Sequence, residues 1–183
     1  MSKKRKYPAP CASRKSRSET TVYCFFLAHE QLQQETGVVY VHLHLTHLKK
    51  SVRLIDATGY MHELPLDHLG FVIQQKAVPF IPTLQTAIEQ HQTETAKKMI
   101  DSLIELIDRR CSKGITDLDN IANDNYGWLE NHAIHLDIGR FTTQQEIIPS
   151  QEIIRVTQPL SDYLEKNSPE LFQHYVNKLQ YRY

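Results

Sequence analysis

The 183-residue chain is 40% apolar, enough to bury a core within one domain and too apolar for wholesale disorder. Its 21 basic and 21 acidic side chains cancel, but the first 18 residues hold seven Lys/Arg and no acid, leaving a mildly acidic body. That body argues against a specific nucleic-acid surface, and no apolar run reaches membrane-spanning length.

In chain order, residues 1–19, "MSKKRKYPAPCASRKSRSE", are basic and Pro/Ser-bearing and are expected to be a disordered tail. The fold class expected for residues 20–183 is a single α+β domain: a small antiparallel β region over 20–66, then a mainly helical region over 67–183. Residues 21–29, rich in aromatic and β-branched side chains, are expected to form a strand. In "TGVVYVHLHLTHL" Val39, Val41, Leu43 and Leu45 alternate with Val38, Tyr40, His42 and His44, a strand pattern of period two. "VRLIDATGYMHELPLD" repeats it on both sides of Ala57-Thr58-Gly59, which predicts a hairpin.

Beyond residue 66 the period changes. "LDHLGFVIQQKA" is expected to be a short helix stopping before Pro79, and Pro82 to open another. Residues 93–112 give the clearest helix: Ala96, Ile100, Leu103, Ile104, Ile107 and Cys111 form one stripe, which Gly114 ends. An Asp/Asn-rich loop follows, then a strand at about 132–138, and Ser168-Pro169-Glu170 marks a last helix start. Cys11, Cys24 and Cys111 are scattered and form no C-x-x-C pair. They suit a reducing, cytoplasmic compartment without a disulfide framework. Bacterial effector secretion stays open beside that expectation.

The order within "DSLIELIDRRCSKGITDLDNIANDNYGWLENHAIHLDIGRF" is buried helix, Gly114, Asp/Asn-rich loop, strand pair, then Asp137-Ile138-Gly139. This resembles the catalytic half of the protein-kinase-like fold. There a buried helix leads to a loop with a catalytic aspartate and a metal-binding asparagine, and a strand pair delivers the Asp-Phe-Gly aspartate. The resemblance implies Mg2+ and ATP as cofactors. Asn125 and Asp137 would be the metal ligands, Gly139 the glycine beside the nucleotide site, and Asp117 or Asp119 the catalytic aspartate. Magnesium on phosphates asks for such hard oxygen ligands. The chain also looks similar to uncharacterised proteins of obligately intracellular bacteria that share "LID..G" and an aliphatic-Asp-aliphatic-Gly-Arg-Phe run.

The departures point to an incomplete, pseudokinase-like member. The kinase loop sets its asparagine five residues after the aspartate, whereas Asn125 lies eight after Asp117 and six after Asp119. The five-residue spacing falls on Asp119 and Asp124. No glycine-rich phosphate loop and no Val-Ala-Ile-Lys strand occur in residues 1–70. The functional expectation is a divergent kinase-like protein that binds Mg-nucleotide with weak or no phosphotransfer.

Two other readings stand beside it. The β region or the acidic surface would serve a non-catalytic module that engages a protein partner. Alternatively His42 and His44, on one strand face with His47 and His62 nearby, would give zinc two imidazoles for a hydrolase. His132, His135 and Asp137 offer a second set, although residues 132 and 135 point to opposite faces of a strand.

Overall fold

The segment after the basic stretch is a helix, not a strand: α1 spans Arg17–Gln31. Its aromatic and β-branched content favours extended chain, but Cys24, Leu27, Ala28 and Leu32 recur at helical spacing and are all buried. Burial of that stripe overrides local propensity. The structure is a computed structural model that describes residues 17–119 and 124–181. The tail expected over 1–19, with Cys11, therefore lies outside the described residues up to the start of α1.

A single turn, α2 (Gln33–Thr36), ends at Gly37, whose φ of 65° is the left-handed conformation a helix stop favours. Strand β1 (Val38–His42) pairs antiparallel with β4 (Phe71–Gln74). The alternation expected to run to Leu45 thus stops at His42. The short helix expected from Leu66 is only a 3-10 turn, Leu66–His68, after which Phe71-Val72-Ile73 takes the β role its branched side chains favour.

The predicted hairpin is present as β2 (Ser51–Ile55) and β3 (Met61–Pro65), paired from Ser51↔Pro65 to Ile55↔Met61. Asp56 organises its turn, accepting from the Thr58 and Tyr60 amides at 2.9 and 3.0 Å, with Gly59 at φ 86°. At the other end Asp67 accepts from Thr46 Oγ1 (2.7 Å), Leu48 N (2.7 Å) and Lys49 N (2.9 Å), which clamps the loop feeding β2. Every residue of β2 is exposed, and in β3 only Leu64 is half-buried.

The helical half follows. Strand β5 (Val78–Pro79) leads into α3 (Phe80–Glu89) and α4 (Thr93–Ser112). The latter buries the predicted stripe together with Met99, Leu106 and Arg110. Then come β6 (Ile115–Asp117), the hairpin β7 (Tyr126–Leu129) and β8 (His132–His135), and β9 (Phe141–Thr143). Strands β5, β7 and β8 form one sheet, and β6 pairs antiparallel with β9, Asp117 facing Phe141. Two helices close the chain, α5 (Pro149–Asn167), which holds Pro159 in its interior, and α6 (Pro169–Gln180). No described helix is long and apolar enough to cross a membrane.

Two apolar clusters result. The larger joins α3–α6 with Tyr126 and Ala133; the smaller joins α1 and β1 with Ile115, Ile138 and Phe141. Gln74 stitches the β1–β4 pair to the helical half, its amide donating to the carbonyls of Thr36 (2.7 Å) and His135 (3.0 Å). Gly127 is required by packing: a Cβ there would lie 2.7 Å from that of Ala77.

A two-stranded hairpin with no buried face is marginal in water. Hydrogen exchange should therefore find the amides of residues 51–65 far less protected than those of α4; equal protection would show that the hairpin is covered.

Candidate functional site

The expected site residues lie around the short sheet β6–β9 and the end of β8. Asp117, last residue of β6, is only 2% exposed. Its Oδ1 accepts the Asp119 amide at 3.0 Å, and its Oδ2 lies 3.3 Å from His135 Nε2, a polar contact off the line of a good hydrogen bond. The other imidazole nitrogen, Nδ1, is 3.3 Å from Arg110 Nη1. A guanidinium only donates, so Nδ1 is the acceptor and the single imidazole proton sits on Nε2, facing Asp117.

Arg110 is the hub. From the last turn of α4 it reaches Glu152 of α5, Nη2 to Oε1 at 2.7 Å, with both side chains buried. Glu152 Oε1 also accepts from Thr116 Oγ1 at 2.7 Å. Arg155 donates to Glu152 Oε2 at 2.9 Å through Nε and to the Asp117 carbonyl at 2.6 Å through Nη2. The ring of His135 stands edge-on to Tyr126 and to Phe141, at 4.6 and 4.8 Å between centroids. Polar network and aromatic contacts together span the gap between the two apolar clusters.

The electrostatics follow from burial. Burial alone would raise the Asp117 carboxyl, but the facing His135 ring and the Asp119 amide hold it below the ordinary range. Burial pushes His135 below its usual value by more than the facing Asp117 carboxylate restores, and the Arg110 charge lowers it further. Arg110 keeps its charge despite burial, because the Glu152 and Asp117 carboxylates beside it offset the loss of solvent. The Tyr126 hydroxyl is pushed up to about 12 by burial, and the buried Cys24 and Cys111 thiols to about 11. Neither cysteine suits nucleophilic chemistry.

The other expected residues sit differently. Asp137 is exposed just beyond β8, and its Oδ1 accepts the Gly139 amide at 3.0 Å. Gly139 shows no left-handed φ. Its value is room, since a Cβ there would come within 3.3 Å of Asp137 Oδ1. Ile138, between them, is buried in the smaller cluster. Asp119 has a side chain 19% exposed and 3.8 Å from Arg140 Nε. Asn125 is buried, and its carbonyl accepts the Leu136 amide at 2.7 Å, fixing the loop's exit against the strand that carries Asp137.

Asp117 and Asp137 thus face different surroundings, one enclosed and one open. Among the described residues no three His, Cys, Asp or Glu side chains are grouped so as to hold a metal ion. Of the two residues expected to ligate magnesium, Asp137 is exposed and Asn125 is buried. The histidines expected for zinc do not gather: His42 stacks on Phe71 at 4.9 Å, His44 and His47 are exposed, and His62 binds Asp56 at 2.8 Å. Sequence reasoning missed Arg110, Glu152 and Arg155. A lone arginine on an apolar stripe, at the position of Arg110, was the available signal. Comparison with protein-family models, curated proteins and solved structures finds no match to this chain.

Removing one partner of a buried ion pair strands the other charge, so Glu152→Ala should cost about 3–5 kcal/mol in urea unfolding. A loss typical of a surface substitution would show that the pair does not hold the fold. The titrations also carry a sign. Folded His135 stays neutral while the unfolded chain takes up a proton below 6.5, so stability falls as pH drops through that value towards the depressed folded one. Asp117, lowered in the fold, adds a further loss once pH falls below 3.8. His135→Gln should flatten the slope between about pH 5 and 7; an unchanged slope would exclude His135 as its source.

Proposed function

We propose that the chain is a divergent, incomplete protein-kinase-like protein that holds Mg-nucleotide phosphates at Asp137 and Asn125 and transfers phosphate weakly or not at all. The observation that carries this reading is the run from α4 through β6, the loop, β7 and β8 to Asp137, with β9 returning to pair with β6. It places an exposed carboxylate at the end of a strand, with the next residue buried and its orientation fixed by the Gly139 amide. When bound, magnesium would neutralise phosphate charge at that carboxylate.

Weak transfer follows from the aspartates. The Asp117 carboxylate is engaged by His135 and the Asp119 amide inside the protein, so it does not reach a substrate hydroxyl. Asp119, less buried and near Arg140, is the better placed carboxylate to orient one. Residues 1–70 supply neither a glycine-rich loop nor the nucleotide lysine of an active kinase.

ATP with magnesium at about one hundred times its Kd should stabilise the fold by about 2.7 kcal/mol. For a chain of this size that raises the melting temperature by roughly 5–10 °C. Asp137→Ala should abolish the rise while leaving the nucleotide-free melting temperature nearly unchanged, and radiolabelled phosphate should not turn over. Absence of any shift with ATP, with or without magnesium, would sink the reading.

A second reading, a protein-interaction module, is favoured by the β2–β3 hairpin, which exposes Leu54, Ile55 and Met61. Leu54→Lys with Ile55→Lys should change the stability of the isolated chain by no more than about 0.5 kcal/mol per site, as at other surface positions. A larger loss would assign the hairpin to the protein's own core.

A further inference from the structure

A second site is suggested at the far end of β8 from Asp137. The turn α2–β1, the last turn of α4 and the start of β8 border an open cleft of about 640 Å³. Five polar side chains line it: Gln33, Gln34, Gln75, Arg109 and His132. The three carboxamides and the His132 ring make no hydrogen bond or ion pair among the described residues. Arg109 has one contact, its Nε lying 3.6 Å from Glu35 Oε1, which leaves Nη1 and Nη2 without a partner. Gly37, Val38 and Val39 form the apolar wall. Val39 falls at the register shift of β1, outside the ladder to β4, and such bulges recur beside binding sites.

The charge balance sets the ligand class. Glu35, only 2% exposed, faces two cations, Lys113 Nζ at 2.8 Å and Arg109. One carboxylate against two cations leaves a net positive charge, and no acidic side chain lines the cleft itself. Glu35 Oε1 lies at ion-pair distance from the inner edge of the Arg109 guanidinium without a hydrogen bond to Nε, and the Arg109 side chain is 42% exposed. A fork of two N–H donors matches the paired oxygens of a carboxylate or phosphate, and the carboxamides can donate and accept around it. A cleft of this size with a few convergent polar groups suits a small molecule. We propose that it binds a small organic oxyanion, a carboxylate or phosphate ester, with Arg109 as its anchor. His132 opens β8 and Asp137 lies beyond its other end, so this site is independent of the nucleotide reading.

The test is an NMR titration of the full chain at fixed ionic strength, one arm with inorganic phosphate and one with succinate. Saturating shifts of the Gly37, Val38 and Val39 amides and of the Arg109 Nε–H are expected, and the tighter arm identifies the oxyanion. Arg109→Gln should weaken binding about tenfold or more. Gln75→Ala, at an exposed position without a structural partner, should weaken it severalfold with the fold intact. Asp137→Ala should leave it unchanged. Linear, unsaturating shifts in both arms, or unaltered affinity in the Gln75→Ala protein, would overturn the proposal.

Discussion

The contact between Arg110 and Glu152 is the constraint on which the rest of the molecule is arranged. Taking a guanidinium and a carboxylate out of water is costly unless the geometry is good and the remaining donors and acceptors are used. Here Thr116, Arg155 and His135 take up most of the remaining sites, each from a different element, β6, α5 and β8, while the buried Arg110 Nε keeps no hydrogen-bond partner among the described residues. The requirement to satisfy one buried pair therefore fixes the seating of β6 on α4, the approach of α5, and the tautomer of His135. An apolar joint of equal volume would tolerate sliding; a charged one specifies a single register.

That joint also explains why the two aspartates of greatest interest diverge. Asp117 sits at the end of a strand whose neighbour, Thr116, is drawn to Glu152, so its own carboxylate turns inward to His135. Asp137 lies two residues past His135, beyond the network, and emerges into solvent over buried Ile138. The same short stretch of chain thus leaves one carboxylate open to solvent while the neighbouring acid serves structure.

Much of the helical half was legible because its periodicity is strong and local: α4 appears with the bounds its stripe and Gly114 predict. The hairpin at Gly59 was legible through its turn residues. The first helix was not, because Thr20-Thr21-Val22-Tyr23-Cys24-Phe25-Phe26 favours a strand by composition, and only packing against β1 and β9 shows which spacing matters. The β6–β9 pair, two three-residue strands with an intervening hairpin, carries too little alternation to be read. The site was half legible: acidic and amide residues in the loop stand out, whereas the arginines and Glu152 that decide Asp117's environment lie on helices where charge ordinarily means solvent.

Pro159 carries a mechanical consequence. Having no N–H, it removes one rung from the α5 ladder and crowds the preceding turn. The segment before it carries Glu152 and Arg155, clamped to β6, and both segments pack in the helical core, Ile153 and Val156 before it and Leu160 and Leu164 after it. The helix is thus two stiff levers joined at a softer turn. Bending there would load both the Arg155 grip on the Asp117 carbonyl and the buried Thr157–Tyr175 bond to α6.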